Sequence, residues 1–246
     1  MFSNQERCLY RNNQLGDVIC QIRFPEILTI GANLPVDFQE EIRHIFPKFT
    51  VTNEAPSGKQ QIANYRFATA DETWQLNLTS QFIALTCKQY TNWESFANRF
   101  DVPLSAFIRI YKPAYFERIG LRYMNMISRN NLELSGIPYR ELIQPEYLGL
   151  MADDNAQESA FTCCSCDYDI AIRHGCRAKI HAGPGRVVRN GVDDGEVKFI
   201  FDLDLYMKGN IPVNYAAGSL ETIHAQAFPI FRGAITQTLH DALDPI

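Results

Sequence analysis

The sequence predicts an α+β fold: a duplicated β-α-β-β-β-α unit forming a curved antiparallel sheet, with long amphipathic helices packed on one face. Three observations predict it. The hydrophobic pattern passes twice through the same order of elements; strand segments alternate apolar and polar residues; and two long stretches carry an apolar stripe at helical spacing. A single body over 1–246 follows, made of two pseudo-repeats of about 12–112 and 113–246.

The first repeat opens on a strand at 18–24, with Val18, Cys20, Ile22 and Phe24 on one face and Gln21 and Arg23 on the other. Pro35 suits the first turn of a helix over 35–46, and Phe38, Ile42 and Ile45 then share one stripe. Three short strands are expected between 62 and 88; Trp74, Leu76 and Leu78 alternate with Gln75 and Asn77, and 69–72 turns one hairpin. Thr91 and Glu94 have capping-box spacing ahead of a helix bearing Trp93, Phe96, Ala97 and Phe100. Pro103 is expected to kink or split that helix.

The second repeat opens on a strand at 116–127, followed by a helical piece at 139–150 and three strands between 167 and 208. Tyr168, Ile170 and Ile172 alternate, His174-Gly175 turns a hairpin, and Asn190-Gly191 with Asp194-Gly195 marks a longer loop. Alternation is clearest in the last strand. Val197, Phe199, Phe201, Leu203, Leu205 and Met207 face one side; Glu196, Lys198, Asp202, Asp204, Tyr206 and Lys208 face the other, broken only by Ile200. A final helix from Leu220 aligns Ile223, Ala227, Phe231, Ile235 and Leu239, with Pro229 expected to kink or split it.

Composition narrows the function classes. A chain of 246 residues, 46% hydrophobic, can bury a large core. A net charge of -5 and the lack of any Lys/Arg run argue against nucleic acid as a partner. No apolar stretch is long enough for a membrane span, and the polar start at 1–11 does not read as a leader, so a cytoplasmic protein with no membrane partner is expected. Seven cysteines, an odd number, are expected as free thiols.

No motif assembles a catalytic site. Cys163, Cys164, Cys166, Cys176 and His174 offer zinc-ligand chemistry. With the hairpin turning at His174-Gly175, however, Cys166 lies about eight residues away along an extended strand, roughly 25 Å. No metal or cofactor is therefore expected. Asp202 and Asp204 point the same way about 7 Å apart, suited to a divalent ion or acid–base work, or to salt bridges across to Lys179 or Arg177. Gly183-Pro184-Gly185-Arg186 precedes a strand, not a helix, and reads as a turn in place of a phosphate loop. His224 and His240 ride on the apolar side of the last helix as core histidines with backbone partners. Arg118 and Arg122 share one strand face, placed to clamp a carboxylate, a phosphate or an acidic partner segment, or to pair with Asp202, Asp204 or Glu117.

The segments Val18-Ile19-Cys20-Gln21-Ile22-Arg23-Phe24-Pro25, Phe38-Gln39-Glu40-Glu41-Ile42-Arg43, Arg118-Ile119-Gly120-Leu121-Arg122-Tyr123-Met124-Asn125 and 224–236 together resemble a sporadically distributed family of uncharacterised prokaryotic proteins of similar length. The resemblance runs the length of the chain apart from 163–176. It implies a patchily inherited accessory protein and assigns no activity. The expected function is a non-enzymatic binding or interaction protein of such a system, of the antiphage-defence or toxin-neutralising kind. Its candidate contact residues are Arg118, Arg122, Asp202, Asp204, Arg23 and Tyr206 on the polar sheet face. The expected partner is a protein, with a second copy of the chain, docked through a strand edge, as a further partner. The alternative is a small-molecule-binding or hydrolytic domain whose pocket, between sheet and last helix, is lined by Trp74, Tyr123, Tyr206 and Arg122.

Overall fold

The computed structural model describes residues 2–54, 62–189 and 191–246 and is α+β, with one nine-stranded open antiparallel sheet and five α-helices among the described residues. In chain order the elements are β1 (Leu15–Arg23), α1 (Leu28–Ala32), α2 (Val36–Ile42), β2 (Lys48–Glu54), β3 (Ile62–Ala68), β4 (Trp74–Leu78), β5 (Phe82–Cys87) and α3 (Trp93–Tyr111). There follow β6 (Phe116–Ile127), β7 (Cys166–Ala171), β8 (Arg177–Arg189), β9 (Val192–Ile211), α4 (Ala216–Ala234) and α5 (Gln237–Ala242). The strand order is β2-β3-β4-β5-β1-β6-β9-β8-β7, so β1 and β6 are neighbours. No described helix is long and apolar enough to cross a membrane.

The chain divides into two compact units. The first comprises 17–121 and 206–221. Within it the alternation of β1 holds: Val18, Cys20 and Ile22 are fully buried, and β1 pairs antiparallel with β5 from Val18 opposite Cys87 to Arg23 opposite Phe82. Helix α3 covers this layer, with Phe107 4.6 Å from Phe24 and Phe96 5.7 Å from Trp74 between ring centroids. Its N-cap is Asn92, not Thr91: Asn92 is extended, and its short side chain accepts the Ser95 amide at 2.8 Å. At the entry to α2, Pro35 stands at the N-cap, one place before the first turn.

Pro103 does not split α3, nor Pro229 α4. Each costs its helix one backbone bond, but burial of Phe96, Phe100, Leu104 and Phe107 in α3, and of Ile223, Ala227 and Ile230 in α4, outweighs it. Each fully buried Phe or Ile contributes about 1.5–3 kcal/mol. Strand β2 is an addition to the three strands expected in this half. It pairs with β3 throughout, from Lys48 opposite Ala68 to Glu54 opposite Ile62.

The second unit comprises 1–16, 122–205 and 222–246. Its core is the apolar side of β9. Phe199 meets Tyr139 at 5.3 Å, and Phe201 meets both Tyr147 at 5.2 Å and Phe231 of α4 at 6.0 Å. The expected helical piece at 139–150 is instead three 3-10 turns, Tyr139–Glu141, Pro145–Tyr147 and Gly149–Ala152. Pro145 has no N–H to continue a helix, and Tyr139 is pinned by its hydroxyl donating to the Val197 carbonyl at 2.6 Å. The last helix starts a turn earlier than expected, at Ala216, and ends at Ala234. Ile235 makes a β-bridge to Ile143, and the Thr236 hydroxyl donates to the Glu141 carbonyl at 2.7 Å while capping α5 through the Leu239 amide. Leu239 therefore belongs to a separate helix.

The β7–β8 hairpin turns at Arg173–Gly175, with His174 in the left-handed region at φ 59°. The segment 183–186 is no turn; it lies inside β8. A Cβ on Gly183 would stand 2.4 Å from the Cys164 carbonyl oxygen, so the glycine admits backbone crossing over the strand. Of the expected longer loop, Asn190 lies outside the described residues, and β9 runs through Asp194-Gly195.

Candidate functional site

Within the second unit the polar side of the sheet forms an open cleft of about 440 Å³. Period two puts it there: Asp202 and Asp204 alternate with the buried Phe201, Leu203 and Leu205, and Arg122 alternates with the buried Leu121 and Tyr123. The β7–β8 register adds Asp167 opposite His181 and Asp169 opposite Lys179. Read across the order β6-β9-β8-β7, the lining is cationic (Arg122), anionic (Asp202, Asp204), cationic (Lys179, with the His181 imidazole beside it) and anionic (Asp167, Asp169).

Three of these contacts are closed within the sheet. Arg122 grips Asp202 with a fork, Nε donating to Oδ1 at 2.7 Å and Nη2 to Oδ2 at 2.5 Å. Hydrogen bonding to Asp202, together with the charges of Asp202 and Asp204, raises the Arg122 pKa against the opposing effect of burial. The Arg122 side chain is 42% exposed and that of Asp202 15%, so water screens the pair and about 1 kcal/mol is its scale. His181 Nδ1 lies 2.8 Å from Asp167 Oδ1, and Arg177 donates to Asp169 at 2.8 Å. Lys179 is exposed between them and makes no ion pair among the described residues.

The expected site residues divide. Arg122, Asp202 and Asp204 share the cleft. Arg118 and Tyr206 belong to the other unit, where the Arg118 guanidinium lies 4.7 Å from the Tyr206 ring centroid. A Cβ on Gly120 would fall 2.0 Å from Arg118 Nη1, so the glycine is what lets the guanidinium lie flat. Arg23 is exposed at the end of β1 and lines no described cleft. Asp202 takes Arg122 where Lys179 or Arg177 was expected, and Arg177 pairs with Asp169. His181 was missed; extending the alternation of Lys179 by one step along β8 would have found it.

Of the residues expected to line a pocket, Trp74 and Tyr206 belong to the unit of 17–121 and 206–221, and Tyr123 and Arg122 to the other. Tyr123 and Arg122 are consecutive on β6 and face opposite sides, and the Tyr123 hydroxyl meets His224 Nδ1 at 2.7 Å on the core side. Trp74 packs on Phe96. His224 and His240 each meet a tyrosine hydroxyl at Nδ1, Tyr10 standing 2.9 Å from that of His240. All seven cysteines are free. Cys166 stands opposite Ala182 while Cys176 lies beyond the turn, and no group of three metal-ligating side chains occurs among the described residues.

A second polar cluster opens β9. Glu196 accepts the Ser128 hydroxyl at 2.6 Å and the Asn130 amide at 3.0 Å. Lys198 pairs with Asp194 and lies 3.6 Å from Glu196, with Lys198 and Glu196 each only 11% exposed. Burial pushes the Glu196 carboxyl up, but hydrogen bonds from Ser128 and Asn130 and the charge of Lys198 outweigh it, so its pKa is lowered. The Lys198 pKa is raised, first by the hydrogen bond to Asp194.

Cleft and cluster together present charged groups held by one another, with Lys179 facing outward. No family model matches the chain, and no curated protein is similar to it.

Proposed function

We propose that the chain is a non-enzymatic binding protein that docks a protein partner on the cleft of its polar sheet face. The partner belongs to a prokaryotic accessory system of the antiphage-defence or toxin-neutralising kind, as the family resemblance implies. The observation that carries the reading is the strand-by-strand alternation of charge across Arg122, Asp202 and Asp204, Lys179, and Asp167 and Asp169. Such a pattern fixes the register of a partner and rejects wrong ones more than it adds affinity. Lys179 is the exposed cation a partner would meet first.

Affinity capture from native cells tests this. Wild type should recover one stoichiometric protein, Lys179→Glu with Asp204→Lys should lose it, and Glu40→Lys on α2 should keep it. No stoichiometric partner, or one indifferent to the cleft charges, defeats the reading.

The alternative, a small-molecule site with or without hydrolysis, rests on the cleft volume, which lies in the range of ligand pockets. Most of the lining residues are charged, yet the wall they present to the cleft is largely apolar, as in such pockets, so the thermal-shift response to small molecules decides between the two readings.

A further inference from the structure

The two edges of the sheet differ in how they meet a further strand. In β7, Asp167 and Asp169 alternate with half-buried Cys166, Tyr168 and Ile170. Two copies pairing antiparallel about Tyr168 would set Asp167 of one against Asp169 of the other, and like charges directly opposite repel. Edge strand β2 has no such guard. Residues 48–53 are all exposed, none is proline, and the pairing with β3 is continuous and unbulged. Its core-side residues Phe49 and Val51 remain 36% and 43% exposed, although Phe49 already packs 5.1 Å from Phe67 and 6.4 Å from Tyr65. A continuous, partly apolar edge of this kind is a template for strand addition.

The residues of β2 also specify which strand fits. Thr50-Val51-Thr52 reads the same in both directions. With Val51 on a twofold axis, antiparallel self-pairing sets Val51 against Val51 on the core side and Thr50 against Thr52 on the other, both favourable cross-strand pairs. Phe49 then lies opposite Asn53, and no like charges meet across 49–53. We propose that a second copy of this chain docks on the β2 edge, antiparallel and in register about Val51. The contact is isologous and closes at two copies. Strand pairing alone buries less than the ~1,200 Å² of a standard interface, so the dimer is concentration-dependent. The cleft shares no residue with this edge, so either proposal can fail alone.

Sedimentation equilibrium across about 1–300 µM, a range matched to weak association, should show a monomer–dimer equilibrium. Val51→Lys should weaken it at least tenfold while circular dichroism is unchanged. Register is tested in a Cys163→Ser background, which removes the exposed thiol. There Val51→Cys should cross-link on mild oxidation and Asn53→Cys should not. A wild-type chain monomeric throughout, a dimer indifferent to Val51→Lys, or Asn53→Cys cross-linking as readily as Val51→Cys would each overturn the proposal.

Discussion

Strand β9 carries two ion-pair sites whose surroundings differ. At its start Glu196 and Lys198 are nearly buried, and the carboxylate also ties down the Ser128 hydroxyl and the Asn130 amide. Six residues on, Asp202 faces a half-exposed Arg122 at the floor of an open cleft. The same pleat produces both, so strand geometry does not distinguish them. Depth and the number of closed hydrogen bonds do: the first site holds the fold, while the second leaves charge where a partner can reach it.

The sharpest way to break the comparison is to remove each acid. Glu196→Ala leaves Lys198 with one carboxylate and two donors unfilled, and should cost about 3 kcal/mol in urea unfolding. A loss no larger than that of a surface substitution would erase the distinction. Next in size is a ligand effect at the cleft. A small molecule at ~100 times its dissociation constant should add about 2.7 kcal/mol, and a thermal-shift screen of metabolites, nucleotides and divalent ions should give no such rise under the partner-docking reading.

The third prediction concerns pH. The Glu196 pKa is lowered in the folded chain, so its contribution is complete above the unfolded value of about 4.3 and is lost as pH falls through the lower folded value. Glu196→Gln should flatten the acid limb of stability in that window and leave its shape near neutrality unchanged. Arg122→Ala should cost about 1 kcal/mol or less, yet reduce partner capture. Lys179→Glu should change stability by less than about 0.5 kcal/mol and abolish capture, the widest separation of the two readouts.

Much of the fold was legible because a half-buried strand writes its burial directly into every second residue. The alternation of β1 and β9 placed Val18, Cys20, Ile22, Phe201 and Leu203 correctly in the core. Strand β2 escaped because residues 48–53 are all exposed, so no burial pattern marks Lys48, Phe49 or Thr50. The 3-10 turns at 139–152 escaped for another reason: Tyr139, Leu142 and Tyr147 are buried by β9, and tertiary packing supplied an apolar spacing that looked helical.

At the cleft, the sequence named Arg122, Asp202 and Asp204 because they share a face, but a face spans many strands. Only the register separates Arg122, gripping Asp202, from Arg118, stacked on Tyr206. His181 lies one step of alternation beyond Lys179, and Gly183, read as a turn, lies inside the same strand, since a glycine admitting a crossing backbone and a glycine making a turn read alike.

The flat guanidinium over Gly120 also bears on how this sequence can drift. Any side chain at 120 would occupy the space of Arg118 Nη1. A relative with alanine or serine there would keep an arginine at 118 only by swinging the guanidinium, the far end of a flexible side chain, off the Tyr206 ring, so the glycine decides the stacking and not whether an arginine is tolerated.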